Sequence, residues 1–361
     1  MESDFMTLYM GKWKLRPDIS SDAYETHRSL WEGFDDKSDD NDRKFLYMVM
    51  KNGEALSISK EKPLNHASLV AVKKVDPVFH AGKKYKFVNA DQLYENICSN
   101  GLCHITFDDG HRSFYENAYP VLYELKIPAT LFVSPTVIIN EKNYWFQRVR
   151  KINNTKFHQY VCERVSNRFN SSINNFSVYS ILKSLPIKII LELIENFEKE
   201  NRIEEEPYMN ITREQLIELN NSGLIEIGSH TNNHPILVNE SDKVSELEIK
   251  DSIKMLEDMI GHNIDYFAYP NGQPGLDFGE REIRILNEIG IKLAFSTSSL
   301  KLYGKINNYM VPRIGISKGN NFYIDNKIRF SKKWSQLRSI SHRNTEGKER
   351  KRLKSMLLLD Q

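Results

Sequence analysis

The chain has 361 residues, 40% of them hydrophobic and 27% charged, with 50 basic and 48 acidic side chains and a formal charge of +2. That length holds one large domain or two small ones. A balance so near neutrality makes no electrostatic case for nucleic-acid binding, and nowhere do about 18 apolar residues run together as a membrane span needs. Cys98, Cys103 and Cys162, an odd set without CxxC spacing, argue for a reducing compartment and against a structural zinc knot. The opening MESDFMTLYMGKWKLRPD is broken by charges and has no apolar core of signal-peptide type, so the expected location is cytoplasmic.

Residues 1–44 read as an N-terminal extension that ends in the charged loop DDKSDDNDRK, and FLYMVM (45–50) as the first core strand. FVNADQLYENICSNG predicts a short amphipathic helix, capped by Asn89 or Asp91 and stopped at Gly101. CHITFDDGH (103–111) is an apolar strand that ends in two adjacent carboxylates and a glycine. Phe114, Ala118, Val121, Leu122 and Leu125 then recur at helical spacing before Ile127-Pro128, and ATLFV (129–133) is a compact apolar strand. Strand, helix, strand at this spacing is a parallel βα unit.

Residues 140–207 interrupt the pattern as a mainly helical insertion over one mouth of the core. The pattern resumes with Thr212 and Gln215 as a capping box and Gly223 as the helix stop. LIEIGSH is a strand, and SDKVSELEIKDSIKMLEDMIG a helix with Val244, Leu247, Ile253, Leu256, Met259 and Ile260 as its buried side. DYFAYPNG, IKLAFSTSS and MVPRIGIS supply further strands, with REIRILNEIG as the helix between the first two. About seven strands alternate with helices, which predicts an α/β fold, a distorted (β/α) barrel over residues 45–325. Neither GxGxxG nor GxxxxGK follows a strand. Residues 326–361 form a basic tail, simplest as a solvated helix. Trp334, Leu337 and Ile340 on one stripe give it the alternative of peripheral contact with a membrane surface.

Two stretches carry chemistry. Adjacent carboxylates at a strand end repel and cost desolvation unless a cation or a proton is shared between them. The sequence His230-Thr231-Asn232-Asn233-His234 places two imidazoles four residues apart, a spacing at which a helical turn presents both to one metal. With a carboxylate they make a two-His-one-carboxylate set, suited to zinc and open to cobalt, nickel or iron.

TFDDG and HTNNH, in this order and at strand ends, resemble the first two motifs of the polysaccharide deacetylase family, the NodB-homology domain of carbohydrate esterase family 4. The resemblance implies a distorted (β/α) barrel, Asp108 as general base, and Asp109, His230 and His234 as ligands of one divalent ion. FAYPNG (267–272) keeps the Phe, the second Pro and the Gly of the third motif, but Ala268 stands where an arginine would hold the base. It continues as QPGLDF, a form that looks like a divergent YPNG-type subgroup. Arg313 would replace that arginine or bind an acidic group of the substrate. FSTSS lacks the acidic and tryptophan residues of the fourth motif, and VPRIGIS lacks the histidine that serves as acid in the fifth. Asp108 itself, a water, His111 or His80 are the candidates for that role. Tyr269, with its backbone N–H, Pro270 and Asn271 are expected on the oxyanion side. Asp277 would anchor that loop or touch sugar hydroxyls, and Trp145 with Tyr144 would stack on a pyranose. The implied reaction removes an N-acyl group, acetyl above all, from an amino sugar in a glycan, an oligosaccharide or an activated sugar. O-deacetylation and a binding protein without turnover are the alternatives.

Overall fold

The computed structural model describes residues 8–14, 45–49, 54–59, 69–75, 86–97, 99, 101–297, 306–316 and 345–358. The chain forms two compact units, residues 1–83 with 314–345 and residues 84–313 with 346–361. In the first unit, β1 (Leu8–Lys14), β2 (Phe45–Val49), β3 (Glu54–Ser59) and β4 (Leu69–Val75) form an antiparallel sheet in the order β2-β3-β1-β4. Phe45–Val49, expected as the first barrel strand, belongs to this sheet. Only residues 50–53 separate it from β3, which suits a hairpin, whereas a parallel neighbour needs a crossover of about a dozen residues.

The second unit opens with β5 (Lys86–Phe87), parallel to β6 (Leu102–Cys103). Its main sheet is β7 (Ile105–Asp108), β8 (Ala129–Val133), β9 (Ile225–Ser229), β10 (Tyr266–Ala268), β11 (Leu293–Ser296) and β12 (Val311–Pro312), six strands, all parallel and in chain order. The sheet is strongly curled. Arg313, just past β12, reaches Asp108 at the end of β7, and Phe132 of β8 packs on Phe295 of β11 with ring centroids 5.3 Å apart. This is the expected distorted (β/α) barrel, with six strands in place of about seven.

Successive strand residues face opposite sides. Phe132, Tyr266, Ala268, Leu293, Phe295 and Val311 fill the inside with Ala90, while Leu131, Ile225 and Ile227 pack outward on helices. Gly228 is required where Phe132 crosses β9, since a Cβ there would lie 2.4 Å from the phenyl ring.

The outer helices are α1 (Ala90–Glu95), α2 (Tyr119–Leu125), α8 (Arg213–Asn221), α9 (Asp242–Ile260) and α10 (Glu280–Glu288). Asn89 caps α1, and Thr212 with Gln215 closes the capping box of α8. Helix α9 keeps the C-terminal part of its expected buried face, Leu256 and Met259 with Ile253 and Ile260 packed beside them. Val244 and Leu247, however, are exposed, and Ser245, Glu248, Ile249 and Ser252 turn inward. A run of polar side chains on the core face hid the stripe.

Helix α3 (Pro135–Ile139) follows β8 and puts Ile138 in the barrel core. The insertion after it is helical, as α4 (Trp145–Ile152), α5 (Thr155–Val165), α6 (Val178–Leu182) and α7 (Ile187–Glu200). It has its own core, including Phe157, Val161, Ile190, Ile194 and Phe197. The C-terminal helix α11 (Thr345–Met356) joins that core through Leu353 and Met356, so this part of the basic tail is packed. Trp334, Leu337 and Ile340 lie outside the described residues. No described helix is long and apolar enough to cross a membrane.

Candidate active site

Strand β7 ends at Asp108, and the next two residues, Asp109 (φ 70°) and Gly110 (φ 60°), are both left-handed. Glycine is needed at the second, where a Cβ would lie 2.8 Å from Val133 Cγ1. At Asp109 that conformation costs on the order of 1 kcal/mol, so the surroundings must impose it.

At the end of β9, His230 N–H donates to Val133 O at 2.9 Å and continues the sheet for one more residue. The two histidines do not share a helical turn, as their spacing had led us to expect. Thr231 (φ 63°) and His234 (φ 56°) are left-handed, and the loop folds back on itself to bring the imidazole centroids within 4.9 Å. His234 N–H donates to Thr231 Oγ1 (3.1 Å), Ser134 Oγ to His230 O (3.0 Å) and Trp145 Nε1 to His234 O (3.0 Å). Buried Glu248 of α9 accepts from Asn232 N (3.0 Å), Asn233 N (2.9 Å) and Asn233 Nδ2 (2.7 Å).

The backbone thereby brings three candidate ligands together. His230 Nε2 and His234 Nε2 are each 3.6 Å from Asp109 Oδ1. That is too long for a hydrogen bond, yet ligands about 2.0–2.2 Å from a tetrahedral ion lie roughly that far apart. Asp109 Oδ1 is buried and has no hydrogen-bond partner. His230 Nδ1 lies 2.7 Å from Ala268 O. A carbonyl only accepts, so Nδ1 is the donor here and Nε2 is the ring nitrogen left facing Asp109. Burial pushes His234 well below its ordinary pKa, which leaves it neutral, and pushes Asp109 up to about 6. An orphaned carboxylate oxygen facing two imidazole nitrogens fits a divalent cation, and these three are the cluster of that kind among the described residues.

Asp108 is treated differently. Burial raises its pKa, but the Arg313 guanidinium, together with His230 and His234, outweighs that and holds the carboxyl below the ordinary range. The pair is bidentate, with Nη1 donating to Oδ1 at 2.6 Å and Nη2 to Oδ2 at 2.8 Å. Arg313 also reaches Thr106 Oγ1 (3.3 Å) and Ser296 O (3.4 Å), so its donors are turned to the protein.

Asp108, Asp109, His230 and His234 line a cleft of about 520 Å³ with Asn271 and Thr297 on the sheet side. The helical side is Trp145, Phe146, Arg150, Tyr179 and Lys183, with Glu346 of α11.

The expected substrate contacts divide. Tyr269 is fully buried, stacked 3.5 Å from Phe278, with its hydroxyl donating to Tyr309 O. Its N–H donates to Phe295 O (3.1 Å) as a continuation of the sheet, so it is not available to an oxyanion. Pro270 is buried and does not line the cleft. Asn271 does, in a left-handed conformation, with a buried Nδ2 that has no partner. Asp277 is also away from the cleft, accepting from Gln273 N (2.7 Å) and Arg350 (2.6 Å) to hold the loop. Trp145 lines the cleft but is 2% exposed, which leaves no free face for a sugar. Its neighbour Phe146 is half-buried, 4.9 Å from the His234 ring. His111 is exposed, bonded to Ser113 Oγ and absent from the cleft lining, while His80 lies outside the described residues. Phe146 and Glu248 were not anticipated.

A profile of the polysaccharide deacetylase family matches residues 99–160 and 169–294, more than half of the chain and both candidate motifs. The chain belongs to that family. Among solved structures it is similar to the Streptococcus pyogenes deacetylase PplD in complex with acetate, at 20% identity over 68% of this chain and 79% of that one, with a TM-score of 0.43. IcaB from Ammonifex degensii matches at 19% identity over 70% and 83%, with a TM-score of 0.43. A de-N-acetylase from Aggregatibacter actinomycetemcomitans matches at 19% over 67% and 83%, with a TM-score of 0.42. No curated protein matches the chain. Membership makes hydrolysis of acyl groups on carbohydrates the chemistry that these residues have to serve.

Proposed function

We propose that this deacetylase-family protein is a metal-dependent hydrolase that removes an N-acyl group, acetyl above all, from an amino sugar. The observation that carries this reading is the buried, unpartnered Asp109 Oδ1, 3.6 Å from both imidazole Nε2 atoms and adjacent to an Asp108 held apart by Arg313. Asp109, His230 and His234 would hold one divalent ion, zinc first by the donor set. When bound, the ion supplies Lewis acidity to the acyl carbonyl and to a water.

The protein's own part is positioning and proton transfer. Asp108 is ionised at neutral pH because of Arg313, and each of its oxygens keeps a lone pair beside the one that Arg313 uses. It takes a proton as the water oxygen bonds to the acyl carbon. It returns that proton to the nitrogen as the C–N bond breaks. Arg313 favours the second step, since a carboxyl of lowered pKa is a willing donor. It also fills the role left vacant at Ala268, from a different strand. Asn271 Nδ2 is the sheet-side donor left without a partner and is assigned to the substrate.

The test is acetate release from a panel of N-acetylated sugars and sugar nucleotides, with metal content measured on the same preparations. One ion per chain is expected, lost in His230→Ala, and acetate release is expected to vanish in Asp108→Asn. Unchanged hydrolysis by the Asn variant removes Asp108 from the mechanism. Release from O-acetyl sugars alone makes the protein an esterase.

A further inference from the structure

Two helices of the insertion present the same pair of side chains to the cleft. On α4 these are Phe146 and Arg150, and at the end of α6 Tyr179 and Lys183, each pair four residues apart and so on one helix face. Phe146 touches His234, so Arg150 sits one helical turn farther from the candidate metal centre. The charge of Arg150 is felt at the Tyr179 phenol, which brings the two helices to one place.

The ion pairs of this region set Arg150 apart. On the same helix, Arg148 is bound by Glu198 at 2.5 Å and Lys151 by Glu206 at 2.9 Å. Elsewhere in the insertion Lys142 pairs with Glu195 at 2.7 Å and Arg164 with Glu200 at 3.0 Å. Behind the lining residue Asp108, Arg313 is spent on that carboxylate, and in the lining Lys183 is held by Glu346 at 2.8 Å. Arg150, exposed and turned to the cleft, has no ion pair among the described residues.

A neutral sugar can take hydrogen bonds from a lone guanidinium but leaves its charge unpaired. Asp108 is neutralised by Arg313 and Glu346 by Lys183, so away from the candidate metal centre Arg150 is the cation of the cleft lining left to favour an anion. The planar fork of an arginine matches two phosphate oxygens, and the Lys183 ammonium, with three donors, can serve Glu346 and a further oxygen. Flanking rings on both helices suit the apolar face of a pyranose.

We propose that the helical side of the cleft binds the phosphate of a glycosyl phosphate or diphosphate, with Arg150 as its principal ligand, Lys183 as the second, and Phe146 and Tyr179 against the sugar. This assignment rests on the deacetylase reading, and it makes the substrate an activated sugar in place of a neutral polymer.

Binding of the two products tests the site without turnover. Calorimetry on the metal-loaded full chain should find glucosamine 1-phosphate bound at least about tenfold more tightly than glucosamine. Arg150→Ala should abolish that difference and Arg150→Lys should keep part of it, with the melting temperature unmoved because the side chain is exposed. Repeating the titration after chelation keeps the Arg150 contribution apart from direct binding of phosphate to the ion. A preference that survives in Arg150→Ala, or no preference at all, overturns the site. So does a glucuronate whose binding depends on Arg150 as strongly, because that would make the site a general carboxylate binder.

Acetate release from UDP-N-acetylglucosamine and from a short-chain prenyl-diphosphate N-acetylglucosamine separates the two sources of such a phosphate. KM for at least one should rise about tenfold in Arg150→Ala, and no rise in either overturns the site. Neutral chito-oligosaccharides divide the two claims. Equal hydrolysis of them by wild type and Arg150→Ala, with no phosphate preference, leaves the hydrolase and removes the site. Arg150-dependent binding without acetate from any sugar leaves the site and removes the hydrolase.

Discussion

The cleft has two walls built on different principles. On the sheet side, each candidate catalytic side chain is fixed by the backbone. Asp109, Thr231, His234 and Asn271 are non-glycine residues in left-handed conformations, and they lie in the loops that follow β7, β9 and β10. Strain of this kind persists only where hydrogen bonding over-determines it, and Glu248, Thr231 Oγ1, Ser134 and Trp145 provide that bonding. On the helical side the backbone is regular, and the lining residues simply occupy one face of a helix. The first wall fixes its atoms through backbone conformation and hydrogen bonds, as proton transfer demands. The second offers rings and charges that can adjust to a ligand, so substitutions in the two walls should have different signatures.

The largest effect belongs to the three candidate ligands. His230→Ala or His234→Ala should release the ion and lower kcat/KM by about 10³-fold or more, read as metal content and acetate release together. A metal-free variant with wild-type activity would dissolve the distinction between the walls.

Arg313 comes next. Removing it leaves the half-buried Asp108 carboxylate without its partner, and Arg313→Gln should cost about 10²-fold in kcat. Its signature is a pH profile. A base must be ionised to act, so activity falls below its pKa. Arg313 holds that pKa down, and its loss raises it, which moves the acidic limb of kcat/KM to higher pH. A drop in rate with an unmoved limb would make Arg313 a packing residue only.

Much of the sheet wall was legible in the sequence, because its signals are local. Apolar runs such as ATLFV, bounded by turn residues, gave the strands, and an Asp-Asp-Gly step gave the site. What escaped was set by tertiary structure. Phe45–Val49 has the composition of a strand, but composition does not say which sheet a strand joins. The spacing of His230 and His234 was right, while its cause is a folded-back loop and not a helix. Tyr269 belongs to the core because β10 pairs with β11 for one residue past its assigned end. The helical wall was least legible, since Arg150 and Lys183 look like any solvated charges until α4 and α6 are packed against the barrel unit.

Glu248 tests the strain argument directly. It accepts three hydrogen bonds from the Asn232–Asn233 step and touches no candidate ligand. Glu248→Ala should weaken metal binding by about 10–100-fold, measured by competition with a chromophoric chelator. Glu248→Gln, which keeps an acceptor for the two backbone N–H groups, should recover most of that affinity. Equal loss in both would mean that the charge, and not the loop geometry, is what matters.

The smallest expected effect lies at the seam between the walls. Glu240, just before α9, accepts from Ile187 N at 2.7 Å at the start of α7, and neighbouring Asn239 donates to Lys183 O at 2.9 Å. Burial pushes the Glu240 carboxyl up to about 7, above the 4.5 of an unfolded chain. Between those values the folded state holds a proton that the unfolded state has released. Stability from this group is therefore full below the lower value and is lost as pH rises to the upper one. The loss is about 2 kcal/mol between pH 5 and 7. Glu240→Gln keeps an acceptor for Ile187 and cannot ionise, so the melting temperature of the variant should exceed that of wild type at pH 7.5 and match it at pH 5. Because Lys183 hangs on the same seam, wild type should also bind glucosamine 1-phosphate a few-fold less tightly at pH 7.5 than the variant does. A melting difference without a binding difference would show that the helical wall keeps its shape whatever the charge on the seam.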